Sequence, residues 1–235
     1  MKTIINYLRR SILLCFCMCV YILQAQQSKI DSLQGLLRTT NLDTAKANIL
    51  NALAMEFRGN NPDTAVYYAK QAISLSEKTN FKMGMGEAYL WYGIGLSNLG
   101  KFDEALKQFA KAKTLFEQLL SVQTADAGKI KQLLGRIINS TGVVFYRQGN
   151  FSEALKNYSA ALKIRREIGN KKEEADCYNN MGVVYIEQGN YGEALKNNFA
   201  SLKIMGERGD KKSRLLERTI ILALFILIRV IIQKH

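Results

Sequence analysis

Proline is almost absent from this chain: Pro62 is the single one among 235 residues. No Pro-rich linker divides the sequence, and little interrupts long helical stretches. Histidine is as scarce, the only one being His235, the last residue. That argues against a Ser-His-Asp triad, a histidine-bearing zinc cluster or a histidine phosphoacceptor. Acids are outnumbered, 20 Asp and Glu against 33 Lys and Arg, for a formal charge of +13. The excess sits disproportionately at the ends: Lys2, Arg9 and Arg10 face no acid before residue 26, and residues 211–235 set six Lys and Arg against Glu217. With no strong basic stripe between the ends, nucleic acid is not an expected partner. Three of the four cysteines, Cys15, Cys17 and Cys19, lie in one apolar run. If that run is removed, Cys177 stands alone without a disulfide and reads as a small apolar core side chain.

The ends read as membrane-directed segments. Met1 to Arg10 is basic, Ser11 to Leu23 is almost wholly apolar, and Leu23-Gln24-Ala25 closes the run with a small residue. This is the order of a secretory signal over residues 1–25, cut after Ala25, and it implies export. An uncleaved anchor is the alternative. At the other end, residues 213–235 carry the run Leu215 to Ile232, apolar around a whole helical projection from Thr219 to Ile228. It reads as a terminal apolar helix that either spans the membrane, making membrane contact, or is buried.

What the sequence does have is internal similarity. GNFSEALKNYSAALKI (Gly149 to Ile164) matches GNYGEALKNNFASLKI (Gly189 to Ile204), and TGVVFYRQ (Thr141 to Gln148) matches MGVVYIEQ (Met181 to Gln188). GKFDEALKQFAKAKTL (Gly100 to Leu115) is a further copy, with extra residues around Glu117 to Gly135. A worn copy precedes it through Ala65, Ala72 and Leu75. Within each unit, apolar and small residues recur at helical steps on either side of a Gly-Asn or Gly-Lys turn, which predicts two helices joined by a left-handed glycine. Small residues such as Gly142, Ala154 and Ala161 are placed for close helix approach, and Phe145, Phe151 and Tyr158 to fill the gaps around them. One such hairpin cannot bury its apolar face alone, so stacked units are required. Ahead of the first unit, Ile30, Leu33, Leu36 and Leu37 are spaced to pack as a capping helix.

The fold class expected is therefore all-α, an α-solenoid of stacked antiparallel hairpins. A capping region over 26–45 is followed by an array over 46–212, with units at about 46–79, 86–119, 135–168 and 175–208. The fourth unit gives Tyr178, Met181, Gly182, Tyr185 and Ala194; the third gives Ile138, Thr141, Gly142, Phe145, Ala154 and Tyr158. The second gives Tyr89, Tyr92, Gly93, Leu96, Ala105 and Phe109, and the first Leu50, Leu53, Ala54, Phe57 and Ala65. These positions resemble the tetratricopeptide repeat, in its long form of about 40 residues. The proline that usually closes a unit is absent from all four.

That resemblance implies that the first helix of each unit lines a concave groove taking an extended peptide or a helix. Carried onto this chain it places Asn51, Leu90, Asn139 and Asn179 at equivalent groove positions. Around them it puts Arg58, Asn98, Arg136, Tyr146, Arg147 and Val183. Asparagine amides suit a peptide backbone, since they donate and accept, and Arg136, Tyr146 and Arg147 favour an acidic group on the ligand.

No cofactor, metal or catalytic constellation is expected. Acid pairs such as Asp103-Glu104 and Glu173-Glu174 fall at helix starts, where they favour the helix dipole. Gly84-Met-Gly86 and Gly93-Ile-Gly95 lack the preceding strand of a phosphate loop. The leading expectation is a non-catalytic scaffold in the cell envelope that binds a protein or peptide partner. The order of signal, long repeats and apolar segment also resembles the sensory half of membrane signalling proteins, often histidine kinases, of Bacteroidetes-like bacteria. On that second reading the chain is a truncated or frame-shifted input region, since no kinase is encoded in it.

Overall fold

The computed structural model describes Gln24, residues 26–122 and residues 126–207. The expected signal over 1–25, Gln24 apart, and the apolar segment over 213–235 lie outside the described residues. Among the described residues, no helix is long and apolar enough to cross a membrane.

Nine helices are described, and no strand among those residues. Helix α1 covers residues 26–39. It is followed by α2 (Asp43–Phe57), α3 (Pro62–Lys78), α4 (Lys82–Asn98), α5 (Phe102–Ser121), α6 (Ala127–Arg147), α7 (Phe151–Glu167), α8 (Lys171–Glu187) and α9 (Tyr191–Glu207). The residues fall into two compact units that divide between Leu115 and Phe116. In the first, α2 packs on α3, α3 on α4, and α2 touches α4; in the second, α6 packs on α7, α7 on α8 and α8 on α9. Within each unit this is the pairing and stacking of a helical solenoid.

The turns show why the sequence folds this way. Gly149 takes φ +74°, and the Asn150 N–H then donates back to the Phe145 carbonyl at 2.8 Å, closing α6. The Asn150 side chain accepts from the Glu153 N–H at 3.2 Å and opens α7. One Gly-Asn pair thus ends one helix and caps the next. The pairs Gly169-Asn170 and Gly189-Asn190 repeat both halves of the device. Between α3 and α4 the left-handed residue is Asn80, φ 51°, the side chain other than glycine that tolerates this region best. Pro62 stands at the start of α3, where a missing N–H costs nothing.

The extra residues around Glu117 to Gly135 mostly lengthen helices: α5 has 20 residues and α6 has 21, against 17 in α7, α8 and α9. The small residues stand where helices meet. A Cβ on Gly142 would come within 2.8 Å of the Tyr158 ring, and one on Gly93 within 2.5 Å of the Phe109 ring. Ala154 and Ala161 are fully buried beside Tyr158, with Phe145 and Phe151 packed against that cluster.

Helix α1 packs on the first unit, though not through all four of the apolar residues spaced for it. Ile30 is buried, and Leu37 packs on the cluster of Leu50, Ala72 and Ala88. Leu36 is instead 51% exposed, because neighbouring residues on a helix point about 100° apart and Leu37 already faces the core. Lys29 pairs with Glu56 at 2.5 Å, and the Gln26 amide donates to the Glu56 carbonyl at 3.0 Å, fastening α1 to α2.

Candidate functional site

In the second unit, the first helices α6 and α8 present two stripes of residues at three- and four-residue steps. On α6 these are Arg136, Asn139, Val143 and Tyr146, and on α8 Asp176, Asn179, Val183 and Glu187. Side chains bridge the two helices. Arg136 Nη2 lies 2.8 Å from Glu173 Oε1, and the Asn180 amide donates to Asn139 Oδ1 at 3.1 Å. Asn139 is thereby committed to a joint. Tyr146 packs on Phe151 with ring centroids 6.0 Å apart. Asn179 and Arg147 are exposed and Val183 is half-buried. Asn179 carries no side-chain hydrogen bond to any described residue.

Behind this face lies a buried charge. Arg165, 2% exposed, sits 2.5 Å from Glu173 Oε2 and donates to the Gln132 carbonyl at 2.8 Å. It lies over Gly135, where a Cβ would meet the guanidinium at 2.9 Å. Burial lowers the Arg165 pKa and Glu173 opposes the shift. Beside it the Cys177 thiol is pushed up to about 12, chiefly by burial, which makes it a core side chain and not a nucleophile. Glu174 accepts from Arg166 at 3.0 Å and Lys171 at 2.9 Å.

The first unit repeats the bridging and alters the expected site. Asn51 is 1% exposed and donates to the Gly84 carbonyl at 2.8 Å, joining α2 to α4. Leu90 is fully buried. Neither is available to a ligand: the equivalent position is an inward one here, and its amide serves the fold. Asn98 is exposed but donates to the Arg58 carbonyl at 2.6 Å. Arg58 lies over the Trp91 ring, 5.8 Å from its centroid. Glu173, Asn180 and Trp91 were not among the expected residues, although Asn180 stands beside Asn179 in the sequence and a one-residue rotation of the assumed helix face would have found it.

Among the described residues, no group of three or more His, Cys, Asp and Glu is placed to share a metal ion.

Comparison with known proteins agrees with this architecture. Residues 135–205 match the family model described as tetratricopeptide repeat, and residues 20–120 match the model of the SusR N-terminal TPR domain. No curated protein sequence matches the chain. Among solved structures, a Rap protein complexed with competence and sporulation factor is similar at 17% identity and a TM-score of 0.71, over 83% of this chain and 54% of that one. The Rap conjugation gene regulator of plasmid pLS20, in complex with a Phr peptide, is similar at 14% identity and a TM-score of 0.65, over 83% of this chain and 52% of that one. A signal-transduction ATPase of Pyrococcus horikoshii with a tetratricopeptide repeat sensor is similar at 20% identity and a TM-score of 0.61, over 83% of this chain and 30% of that one. The chain thus spans about half the length of the two Rap proteins or less of the ATPase, and identities this low speak for the fold alone.

Proposed function

We propose that this chain, a tetratricopeptide-repeat protein, is a non-catalytic scaffold of the cell envelope that binds a protein or peptide segment along the first-helix face of its second unit. The observation that carries the reading is the pair of stripes on α6 and α8. Their joints are made by Arg136, Asn139, Glu173 and Asn180, which leaves exposed Asn179 and half-buried Val183 facing outward. An amide beside an aliphatic patch suits an extended backbone with an apolar side chain. Two of the similar structures are Rap proteins described in complex with a factor or a peptide, which supports the ligand class by analogy of fold only.

Peptides selected by phage display against the full chain test the reading. They should lose binding to Val183→Glu while that variant keeps its helical circular dichroism. Selected peptides that bind Val183→Glu and Asn179→Ala as tightly as the parent would place recognition elsewhere. An alkaline phosphatase fused after residue 212 should be active if the array is exported, and inactive if it stays inside.

A second reading, the sensory input region of a membrane signalling protein such as a histidine kinase, is favoured by one specific match. The model covering residues 20–120 is that of an N-terminal domain. A downstream frame encoding a dimerisation helix and an ATP-binding domain would support it.

A further inference from the structure

The first unit also holds a cleft whose lining includes none of the residues expected to face the groove. It opens between α1, α2 and α3, has a volume of about 460 Å³, and is floored by Leu37, Leu50 and Leu75. That size suits a few residues of a ligand. Gln71 and Ser74 line one side from α3, and Lys46 and Lys78 complete the lining. The cleft is polarised. Lys78 Nζ lies 3.5 Å from Asp43 at the start of α2, so the last turn of α3 stands beside the first turn of α2, and Lys46, on that turn, shares the same end. Leu50 and Gln71 lie a turn or more away from it. The cleft therefore has a cationic end and an uncharged remainder.

The charges at that end are not internally balanced. Lys46 forms no ion pair with any described residue, and the contact of Lys78 with Asp43 is long, with the lysine side chain 75% exposed. Both lysines line the cleft, and Asp43 pairs with Lys78 alone. Beyond them the floor is aliphatic, while the Gln71 amide and Ser74 hydroxyl offer donors and acceptors that a bare hydrocarbon chain would leave unused.

We propose that this cleft captures the carboxyl terminus of a partner peptide ending in an aliphatic residue. The terminal carboxylate lies between Lys46 and Lys78, the last side chain rests on Leu37, Leu50 and Leu75, and the preceding backbone meets Gln71 and Ser74. The site is separate from the first-helix face of the second unit and does not depend on it. Capture of a chain end, rather than an internal acidic segment, follows from the polarity: the negative group belongs at one end, directly beside an aliphatic one.

The test uses the full chain and a fluorescein-labelled peptide, Ser-Gly-Ser-Gly-Leu-Leu, with a free α-carboxyl, read by fluorescence anisotropy. Its C-terminally amidated twin and dodecanoate serve as competitors. The free acid should bind, and the amide should bind at least about tenfold more weakly, the range expected for losing a charge-assisted hydrogen bond. Lys46→Glu should weaken the free acid by a similar factor, with Lys46→Gln intermediate and both variants unchanged in helicity. Equal binding of acid and amide would overturn the proposal, as would no binding of either. Competition by dodecanoate at lower concentration than by the peptide would make the cleft an aliphatic-acid site and overturn it as well. Binding that survives Lys46→Glu but is lost in Val183→Glu would assign the peptide to the first-helix face, a result that sinks this site and leaves the other standing.

Discussion

Asn139 and Asn180 meet across α6 and α8, the Asn180 amide donating to the Asn139 side-chain oxygen at 3.1 Å. Repeat alignment pairs Asn139 with Asn179, 40 positions on, as equivalent residues. A bond between successive first helices links residues that are not equivalent, because it crosses from one side of a helix to the facing side of the next. The real partner is 41 positions away, and the equivalent residue is left in solvent. Alanine at the two positions should therefore act differently. Asn139→Ala strands the half-buried Asn180 amide and should cost about 1–2 kcal/mol in urea unfolding. Asn179→Ala should stay within about 0.5 kcal/mol. Equal losses would show that the amide bridge contributes nothing.

Glycine to alanine inside a helix ordinarily stabilises by up to about 1 kcal/mol, and Gly142 should reverse that sign. A Cβ there would stand 2.8 Å from the Tyr158 ring, which is itself 2% exposed and cannot swing aside. Gly142→Ala should lower stability by about 1–3 kcal/mol through overpacking. Gly128→Ala, at an exposed helical site with nothing within 4 Å of the added carbon, should be neutral or stabilising. Thermal melts of the two variants compare the signs directly.

How much of this was legible beforehand depended on the range of the signal. The hairpins, their Gly-Asn turns and the tight helix crossings at Gly93 and Gly142 are local or strictly periodic, and the sequence states them. The extra residues between the second and third units read as an insertion, but nothing in their composition said that they would extend α5 and α6. The site was less legible. Whether a polar residue on a first helix faces ligand or neighbouring helix depends on a rotation of tens of degrees, which repeat spacing does not fix. Asn51 and Leu90 fell inward for that reason. The lysine-rimmed cleft combines residues from three helices at no shared spacing and leaves no motif at all.

Acid should weaken the second unit through Glu174. Burial would raise its pKa, but hydrogen bonds from Lys171 and Arg166 outweigh that and hold the carboxyl below its ordinary value. A group depressed in the folded state contributes stability that is fully present above the unfolded glutamate value of about 4.3. The contribution is lost as pH falls through the lower folded value. Glu174→Gln should flatten the fall in melting temperature between neutral pH and pH 3 relative to the parent. An unchanged slope would show that the cluster makes no net contribution.

The native Cys177 thiol should resist alkylation. It is 1% exposed and its pKa is pushed up to about 12 by burial, so the thiolate that reacts is rare and shielded at pH 8. Mass spectrometry of the peptide containing Cys177, after a short iodoacetamide pulse, should show labelling only when denaturant is present. Rapid labelling of the native chain would mean that α8 opens locally.

Arg165 and Glu173 pose a sharper question, because a buried ion pair is weak evidence of stability while half of one is costly. Arg165 is 2% exposed, its remaining neutral acceptor is the Gln132 carbonyl, and Arg136 repels it. Glu173→Gln leaves that cation uncompensated, and the loss should lie near the lower end of about 3–5 kcal/mol, since Glu173 keeps 20% of its side chain in water. Arg165→Met should cost less, because Glu173 retains Arg136 at 2.8 Å and methionine fills much of the space over Gly135. In the double variant the charge that Glu173→Gln had stranded is gone. It should therefore be more stable than Glu173→Gln alone, giving a coupling energy of more than about 1 kcal/mol in a double-mutant cycle. Strict additivity would mean that the two side chains do not depend on each other, and that the close approach of the pair carries no stabilising interaction between α7 and α8.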